Sequence, residues 1–465
     1  MESFTLQFVA TACAGAQLSG SPEARVHRVG TDSRQVKAGE LFFALRGGRF
    51  DGHDFLQEAV RNGAGAVVVE RGCLPLNWSG CALIAVEDTR QALGQLAAQY
   101  RGDFVLPMVA VGGSNGKTTT KELVASVLKQ ALTTLWSEAS FNNDIGVPLT
   151  LLRLEKSHQA AVLEAGTNHP GELAPLIKMI RPSYGVITSI GREHLEFFGD
   201  VDGVAREEGW LGELLPTDGR LFVNGDDEWT SRMVTRTRAQ VVRVGFAAGN
   251  DWRARGVRLD PHGVKFQVDG PKADLAGEYR IHLVGRHQVV NALFAIAIGA
   301  ELGLGRAAVV KGLAGCRPAR RRLESWEVNG VCLLDDVYNA NADSMVAALQ
   351  ALRELPCKGR RVAVLGDMAE LGAHSDSAHE EVGRRAAELG VEQLFAVGKM
   401  APLMARAARS AGLNRIFEFA DVETAGAAVK SFVKSGDLVL LKASRAMRLE
   451  RIVDLLRGGD AGREN

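Results

Sequence analysis

The stretch VAVGGSNGKTTTKE, Val109–Glu122, decides how this chain is read. An apolar run ends in Gly112-Gly113-Ser114-Asn115-Gly116-Lys117-Thr118-Thr119, and a helical pattern follows. Glycines let backbone N–H groups turn toward a bound anion, and the helix start adds the positive end of its dipole. Lys117 offers a charge to β- and γ-phosphates, and the Thr118 hydroxyl offers a ligand to Mg²⁺. The pattern G-x-x-x-x-G-K-[ST] asks for glycine where this chain has Val111, so the loop is a shortened variant. A plain glycine-rich strand-to-helix turn is the competing reading. The candidate phosphate contacts are Gly113, Ser114, Asn115, Gly116, Lys117, Thr118 and Thr119. Alone, the loop does not separate a kinase, a switch protein and a ligase.

Outward from the loop, residues 104–314 alternate strand, turn and helix. Val109–Val111, Ala160–Leu163 and Tyr184–Ile187 read as strands; Lys117–Ala131 and Glu172–Ile180 read as helices. Residues 240–283 read as β-ribbon, and Gln288–Leu302 as a buried helix. The alternation restarts after 315, with strands expected at Val331–Leu334, Val362–Leu365, Gln393–Val397, Arg415–Phe417 and Leu438–Leu441. Before the loop, residues 1–103 give strands at Leu41–Leu45 and Ala66–Val69 and helices at Phe55–Asn62 and Thr89–Tyr100. The expected fold is α/β in three domains, 1–103, 104–314 and 315–465. The middle one is a parallel-sheet phosphate-loop domain and the last is Rossmann-like. The polar tail Gly458–Asn465 is expected to fray.

Bulk properties agree. At about 150 residues per domain, 465 residues suggest three domains. The chain has 52 glycines but 13 prolines, which favours tight loops over disorder. Lys+Arg and Asp+Glu both number 55, which argues against a chain that coats nucleic acid or an acidic membrane. No stretch approaches the roughly 20 apolar residues of a membrane span. The start MESFTLQFVATACAGAQ lacks a basic region and is read as mature protein rather than a signal peptide. Six scattered cysteines without a CxxC pair suit a reducing cytosol.

Several charged groups fall at strand ends, where open α/β sheets bind ligands. Glu164 follows Ala161-Val162-Leu163, and His194 lies in SIGREHLEFFGD after another strand. With phosphate oxygens they suit Mg²⁺ or Mn²⁺. On spacing alone, a solvated glutamate and a structural histidine read equally well. LLDDVYNANADSM, 333–345, offers a carboxylate for ribose and Tyr338 to cover a base, or an Asx-rich turn before a helix cap. The basic run PARRRLES, 318–325, and LKASRAM, 441–447, read either as solvated faces or as phosphate-neutralising groups.

Taken together, these stretches resemble the Mur ligase family nearly end to end, from TDSRQVKAGELFFAL to LLKASRAM. FNNDIGVPLTLL (141–152), LEAGTNHPGE (163–172), DDVYNANADSM (335–345) and VLGDMAELG (364–372) carry the most specific likeness. The resemblance implies a first domain for the UDP end of a substrate, a middle one for ATP, and a last one that closes over both. It implies ATP-driven addition of D-Ala-D-Ala to UDP-MurNAc-tripeptide through an acyl phosphate, by a cytoplasmic monomer in peptidoglycan synthesis. It implies ATP and Mg²⁺, with no nucleic-acid or membrane partner. By position, Ser33 and Arg34 would lie near UDP. Lys117 and Thr118 would hold phosphates and Mg²⁺, Glu164 and His194 would be metal ligands, and Lys117 and His194 would serve catalysis. Asn291 would touch adenine, and Arg322, Asp336 and Tyr338 would reach ATP. Asn142 and Asn143 would lie near the peptide acceptor; Lys442, Ser444 and Arg445 would face the substrate.

Four departures from the family pattern stand out. Gln288 replaces the first Asn of GxHNxxN, Ala443 replaces the glycine of KGSR, and Arg320-Arg321-Arg322 stands for the PGR run. In VAREEGWLGEL, Glu208 occupies the position of a lysine that the family carries carbamylated and uses to hold a second metal. Glu208 is therefore expected to bind Mg²⁺ and serve catalysis with a permanent carboxylate. Three rivals remain. A sister ligase would add a single amino acid. A folate polyglutamylating ligase lacks the DSR block, and a GTPase-type switch needs an NKxD signal that is missing here.

Overall fold

The computed structural model describes residues 1–74 and 78–458. Of the tail expected to fray, Gly458–Asn465, all but Gly458 lies outside the described residues. Three large sheets, of five, nine and six strands, organise the described residues, beside a two-stranded pair of Phe4–Thr5 and Arg25–Val26.

The central sheet has nine strands. The phosphate-loop strand Met108–Gly112 pairs in parallel with Ala160–Glu164 on one side and with Tyr184–Ile187 on the other. Successive strands leave Met108–Gly112 in opposite directions, so its carboxyl end opens onto a crevice. Register sets Glu164 opposite Val111 and Ile187 opposite Gly112, which brings three strand ends to one edge. The stretch read as β-ribbon contains Gln240–Gly245 and Trp252–Asp260 in parallel, then Gly263–Asp269 and Gly277–Ile281 antiparallel at the sheet's edge.

Helix Lys117–Leu128 buries Leu123, Val124, Val127 and Leu128. It stops three residues short of the expected end, because Gln130 and Ala131 turn back to Val127 and Leu128 with i to i−3 bonds. His287–Glu301 is apolar nearly all round and is buried accordingly, as its sequence required.

The last sheet runs Glu324–Val328, Val331–Asp335, Leu438–Lys442, Arg361–Gly366, Gln393–Val397, Ile416–Phe419, with the first strand antiparallel to an otherwise parallel set. The first sheet has five strands and leads, through helix Thr89–Arg101, into the middle of the chain. One apolar core continues from Phe43, Ile84 and Leu96 through Met108 and Leu151 to Ile177. The six cysteines are free. Among the described residues no helix is long and apolar enough to cross a membrane.

Candidate active site

A cavity of about 1250 Å³ opens where the carboxyl ends of the central and last sheets face each other. Its floor is the phosphate loop. Gly113 and Gly116 adopt φ of +107° and +87°. A Cβ at Gly113 would meet Thr188 Oγ1 at 2.5 Å, so only glycine fits there. The loop is tied to the neighbouring strand end: Ser114 N–H donates to Ser189 O at 2.8 Å, and Asn115 N–H to Ser189 Oγ at 3.1 Å.

Lys117 points its ammonium back over this loop. It donates to Gly113 O at 2.5 Å, Ser114 O at 3.2 Å and Glu193 Oε2 at 3.3 Å. Burial pushes its pKa down, but Glu193, Glu208 and Glu164 outweigh burial and the net shift is upward. The ammonium therefore stays charged. Burial is also what raises the Glu193 carboxyl, although Lys117 opposes it.

Thr118 and Glu164 meet as expected, Thr118 Oγ1 donating to Glu164 Oε1 at 3.2 Å. Asn142 Nδ2 donates to the same oxygen at 2.8 Å. Asn143 Oδ1 accepts from Gly146 N–H at 2.9 Å at the start of helix Gly146–Leu151, and Asn143 also lines the cavity. His194 adopts φ 49° and lines the cavity, but its Nδ1 faces Glu370 Oε2 of the last unit at 2.5 Å.

Glu208 stands behind the loop. It is fully buried beneath the loop, where its Oε2 accepts from Gly113 N–H at 2.7 Å, and it is not part of the cavity wall. The side chain comes from the last residue of helix Val201–Glu208. Burial pushes its carboxyl up to about 7.

The rest of the expected set divides by unit. Asn291 accepts from Thr120 Oγ1 at 3.1 Å and donates to Gln288 Oε1 at 2.8 Å, so the longer Gln288 still closes the hydrogen-bond pair. Of the three consecutive arginines, Arg321 turns to Glu450 and Asp454. Arg322 lies on the cavity with its guanidinium 4.1 Å over the Tyr338 ring. Tyr338 OH reaches across to Ser140 Oγ at 3.0 Å. Asp336 accepts from Lys442 Nζ at 2.6 Å, Ser444 Oγ donates to Asp367 O at 2.8 Å, and the Arg445 side chain is 58% exposed beside Glu450. Ser33 and Arg34 are elsewhere, on the first unit, engaged with Glu58 and Asp32. They do not line this cavity.

The donor chemistry fits a hard divalent cation. Glu164 Oε2 and Glu208 Oε1 are buried and have no hydrogen-bond partner among the described residues. Glu164, Glu193 and Glu208 are all buried around one ammonium. Oxygen ligands and excess negative charge suit Mg²⁺. Glu164, His194 and Glu208 are not drawn within 4.8 Å as a group. Among the described residues that happens only for His53, Glu70 and Cys73, where both His53 nitrogens are already bonded, to Asp51 and Glu70 N–H. The phosphates of a nucleotide would complete the coordination.

Sequence reading missed Glu193 and Lys121. Glu193 sits beside His194 in GREHLE, so its register at the strand end was the available signal. Lys121 is fully buried and donates to Ser137 O and Ala139 O at 2.8 and 2.7 Å.

Three family models match in succession: the Mur ligase family, catalytic domain, at residues 25–101; the Mur ligase middle domain at 111–299; and the Mur ligase, glutamate ligase domain at 321–445. The UDP-N-acetylmuramoyl-tripeptide–D-alanyl-D-alanine ligase of Escherichia coli (strain K12) is 38% identical, over 92% of this chain and 93% of that protein. A crystal structure of MurF from Acinetobacter baumannii superposes with a TM-score of 0.89 at 33% identity, over 98% of this chain and 99% of that one. MurF ligase from Thermotoga maritima in complex with ADP gives 0.82 at 29% identity, over 93% and 97%.

Proposed function

The chain belongs to the Mur ligase family, and from that premise we propose that it joins D-Ala-D-Ala to UDP-MurNAc-tripeptide in an ATP-driven amide ligation. One observation carries the reading beyond likeness. The phosphate loop and the Arg322–Asp336–Tyr338 group face each other across a single cavity, which the acceptor-side Asn142 and Asn143 also line. That arrangement suits a reaction in which a nucleotide and two peptide ends must meet.

In this reading the tripeptide's terminal carboxylate attacks the γ-phosphoryl group, giving an acyl phosphate and ADP. The dipeptide amine then attacks the acyl carbon and phosphate leaves. The protein contributes position and charge. The loop N–H groups of residues 113–119 and Lys117 hold the phosphates; Asn291 and Tyr338 flank the base, and Asp336 meets the ribose. Arg322 neutralises charge from the far side. Lys442, Ser444 and Arg445 hold the substrate end that enters between the units, and Ser33 and Arg34 hold its distant UDP. Thr118 and Glu164, flanked by His194 and Glu208, would hold Mg²⁺, which when bound polarises phosphate oxygens. Domain limits at 1–103, 104–314 and 315–465 follow this division of labour. A cytoplasmic monomer is the matching state.

Phosphate release from ATP, measured with UDP-MurNAc-tripeptide with and without D-Ala-D-Ala, tests the proposal. Release that needs both substrates, with a product heavier by one dipeptide, supports it. Release triggered by a single amino acid points to a sister ligase, and no release with either amine removes the ligase reading. Glu208→Gln should weaken Mg²⁺ dependence, and removing CO₂ should leave activity unchanged; full Mg²⁺ affinity in Glu208→Gln ends the proposed role of that carboxylate.

A further inference from the structure

Glu193 is a buried carboxylate in the wall of the nucleotide cavity, 6% exposed, that none of the proposed catalytic steps uses. Its one charged contact of short range is the ammonium of Lys117, at 3.3 Å among the described residues. A lysine ammonium has three protons to donate. Here all three are taken, by Gly113 O, Ser114 O and Glu193 Oε2. The lysine that should meet phosphate is already satisfied.

Two of these acceptors are carbonyls of the loop itself and move with Lys117. Glu193 belongs to a different element, the segment after strand Tyr184–Ile187, and it carries the competing charge. An arriving polyphosphate must draw the ammonium from this carboxylate. Once that happens, Glu193 is a buried anion beside the phosphates, with Glu208 also nearby. Such a group costs free energy until a cation or proton neutralises it. A divalent cation that arrives with the nucleotide supplies the missing charge. The orphaned Glu164 Oε2 in the same cavity is an independent sign that cation density belongs there.

We propose that Glu193 acts as an anionic gate on Lys117: it competes with the incoming phosphates for the lysine and thereby makes nucleotide binding depend on a divalent cation. This rests on the reading of the cavity as an ATP site. Glu193 is a positioning residue in this scheme, acting on phosphate through Lys117. Binding of nucleotide and of cation are then coupled, and the coupling constant is carried by one removable charge.

Calorimetry of ADP binding to the full chain, with excess Mg²⁺ and with EDTA, measures that coupling. Glu193→Gln keeps the shape and removes the charge. It is expected to tighten Mg²⁺-free ADP binding by about tenfold and to shrink the gain from Mg²⁺ by the same factor. Glu193→Asp keeps the charge on a shorter stem and should fall between the two. An EDTA affinity for Glu193→Gln equal to or weaker than that of the unaltered protein overturns the gate. If Glu193→Gln does not fold, the aspartate variant decides: tighter Mg²⁺-free binding supports the gate, and equal or weaker binding overturns it. If the unaltered protein binds ADP under neither condition, it is the nucleotide reading of the cavity that fails.

Discussion

Asp335 ends strand Val331–Asp335 at 1% exposure, one residue before the cavity-lining Asp336. Burial pushes its carboxyl up to about 6, against the pull of Val337 N–H and Arg457. Its ordinary value in an unfolded chain is 3.8. Between those two values the folded protein holds a proton that the unfolded chain has released. Stability therefore falls as pH rises from about 4 through 6, and the full cost, about 2–3 kcal/mol, is present above pH 6. Asp335→Asn removes the charge and keeps the shape. Its melting temperature should exceed that of the unaltered protein at pH 8, with the advantage shrinking toward pH 4. An advantage that does not change with pH would mean the ionised form carries no such cost. The neighbouring Asp336 pairs with Lys442 Nζ at 2.6 Å, so two adjacent aspartates in one motif have different partners. That distinction was not legible in DDVYNANADSM, where each residue reads the same.

Between elements, the coupling that matters is made by Lys121. It stands on helix Lys117–Leu128, one turn past the phosphate loop, and holds the carbonyls of Ser137 and Ala139 in a segment that also carries Ser140, Asn142 and Asn143. Ala139 is at φ 44°, a turn that needs outside support. Lys121→Met leaves two carbonyls short of a donor and should destabilise the protein by about 2–4 kcal/mol. Its kinetic signature is a raised KM for the dipeptide with the KM for ATP less affected; equal rises would show a general loosening instead. Element positions were largely readable from periodicity. Tyr184–Ile187 and Gln393–Val397 match to the residue, because continuous apolar runs bounded by turns have one reading in a doubly covered sheet. Strand Glu324–Val328 went unread because it follows directly on the basic run and ESWEV has no clean apolar alternation: it is a partly exposed edge strand. Helix Lys117–Leu128 ended early because its last turn tightens, which apolar spacing does not report. The loop glycines and Glu164 were legible as strand-end groups. Lys121 was not, and Glu193 offered only its place at a strand end, since their meaning lies in partners 16–18 and 76 residues away.

Across the whole molecule the two joints are built differently. The first unit shares an apolar core with the central one, and buried Arg101 reinforces the joint by donating to Ile180 O at 2.9 Å and Phe104 O at 2.6 Å. The last unit has two cores of its own, only Val284 and Leu259 of the central unit packing into one of them, and otherwise it meets the central unit through polar contacts at the cavity rim. Chief among them is Arg192, whose Nε and Nη2 bind Asp343 Oδ1 at 2.9 and 2.6 Å and whose guanidinium also pairs with Glu381. A shared core resists hinge motion, whereas a few charged pairs can exchange with water, so closure is expected to be a movement of residues 315–458 over a fixed pair. Arg192→Ala leaves two carboxylates without their cation at the rim and favours the open state. It should lower kcat/KM by about tenfold, or about 1.4 kcal/mol of transition-state stabilisation, while ADP binding to the central loop changes little. Small-angle scattering should show a larger radius of gyration for the variant in the absence of substrates, and added ATP with UDP-MurNAc-tripeptide should restore compaction. Asp343→Asn should act in the same direction, and the double variant should be no worse than the poorer single one, because both remove the same contact. Unchanged scattering together with unchanged kinetics would mean that the rim pairs do not hold the units, and that closure is set by the substrate alone.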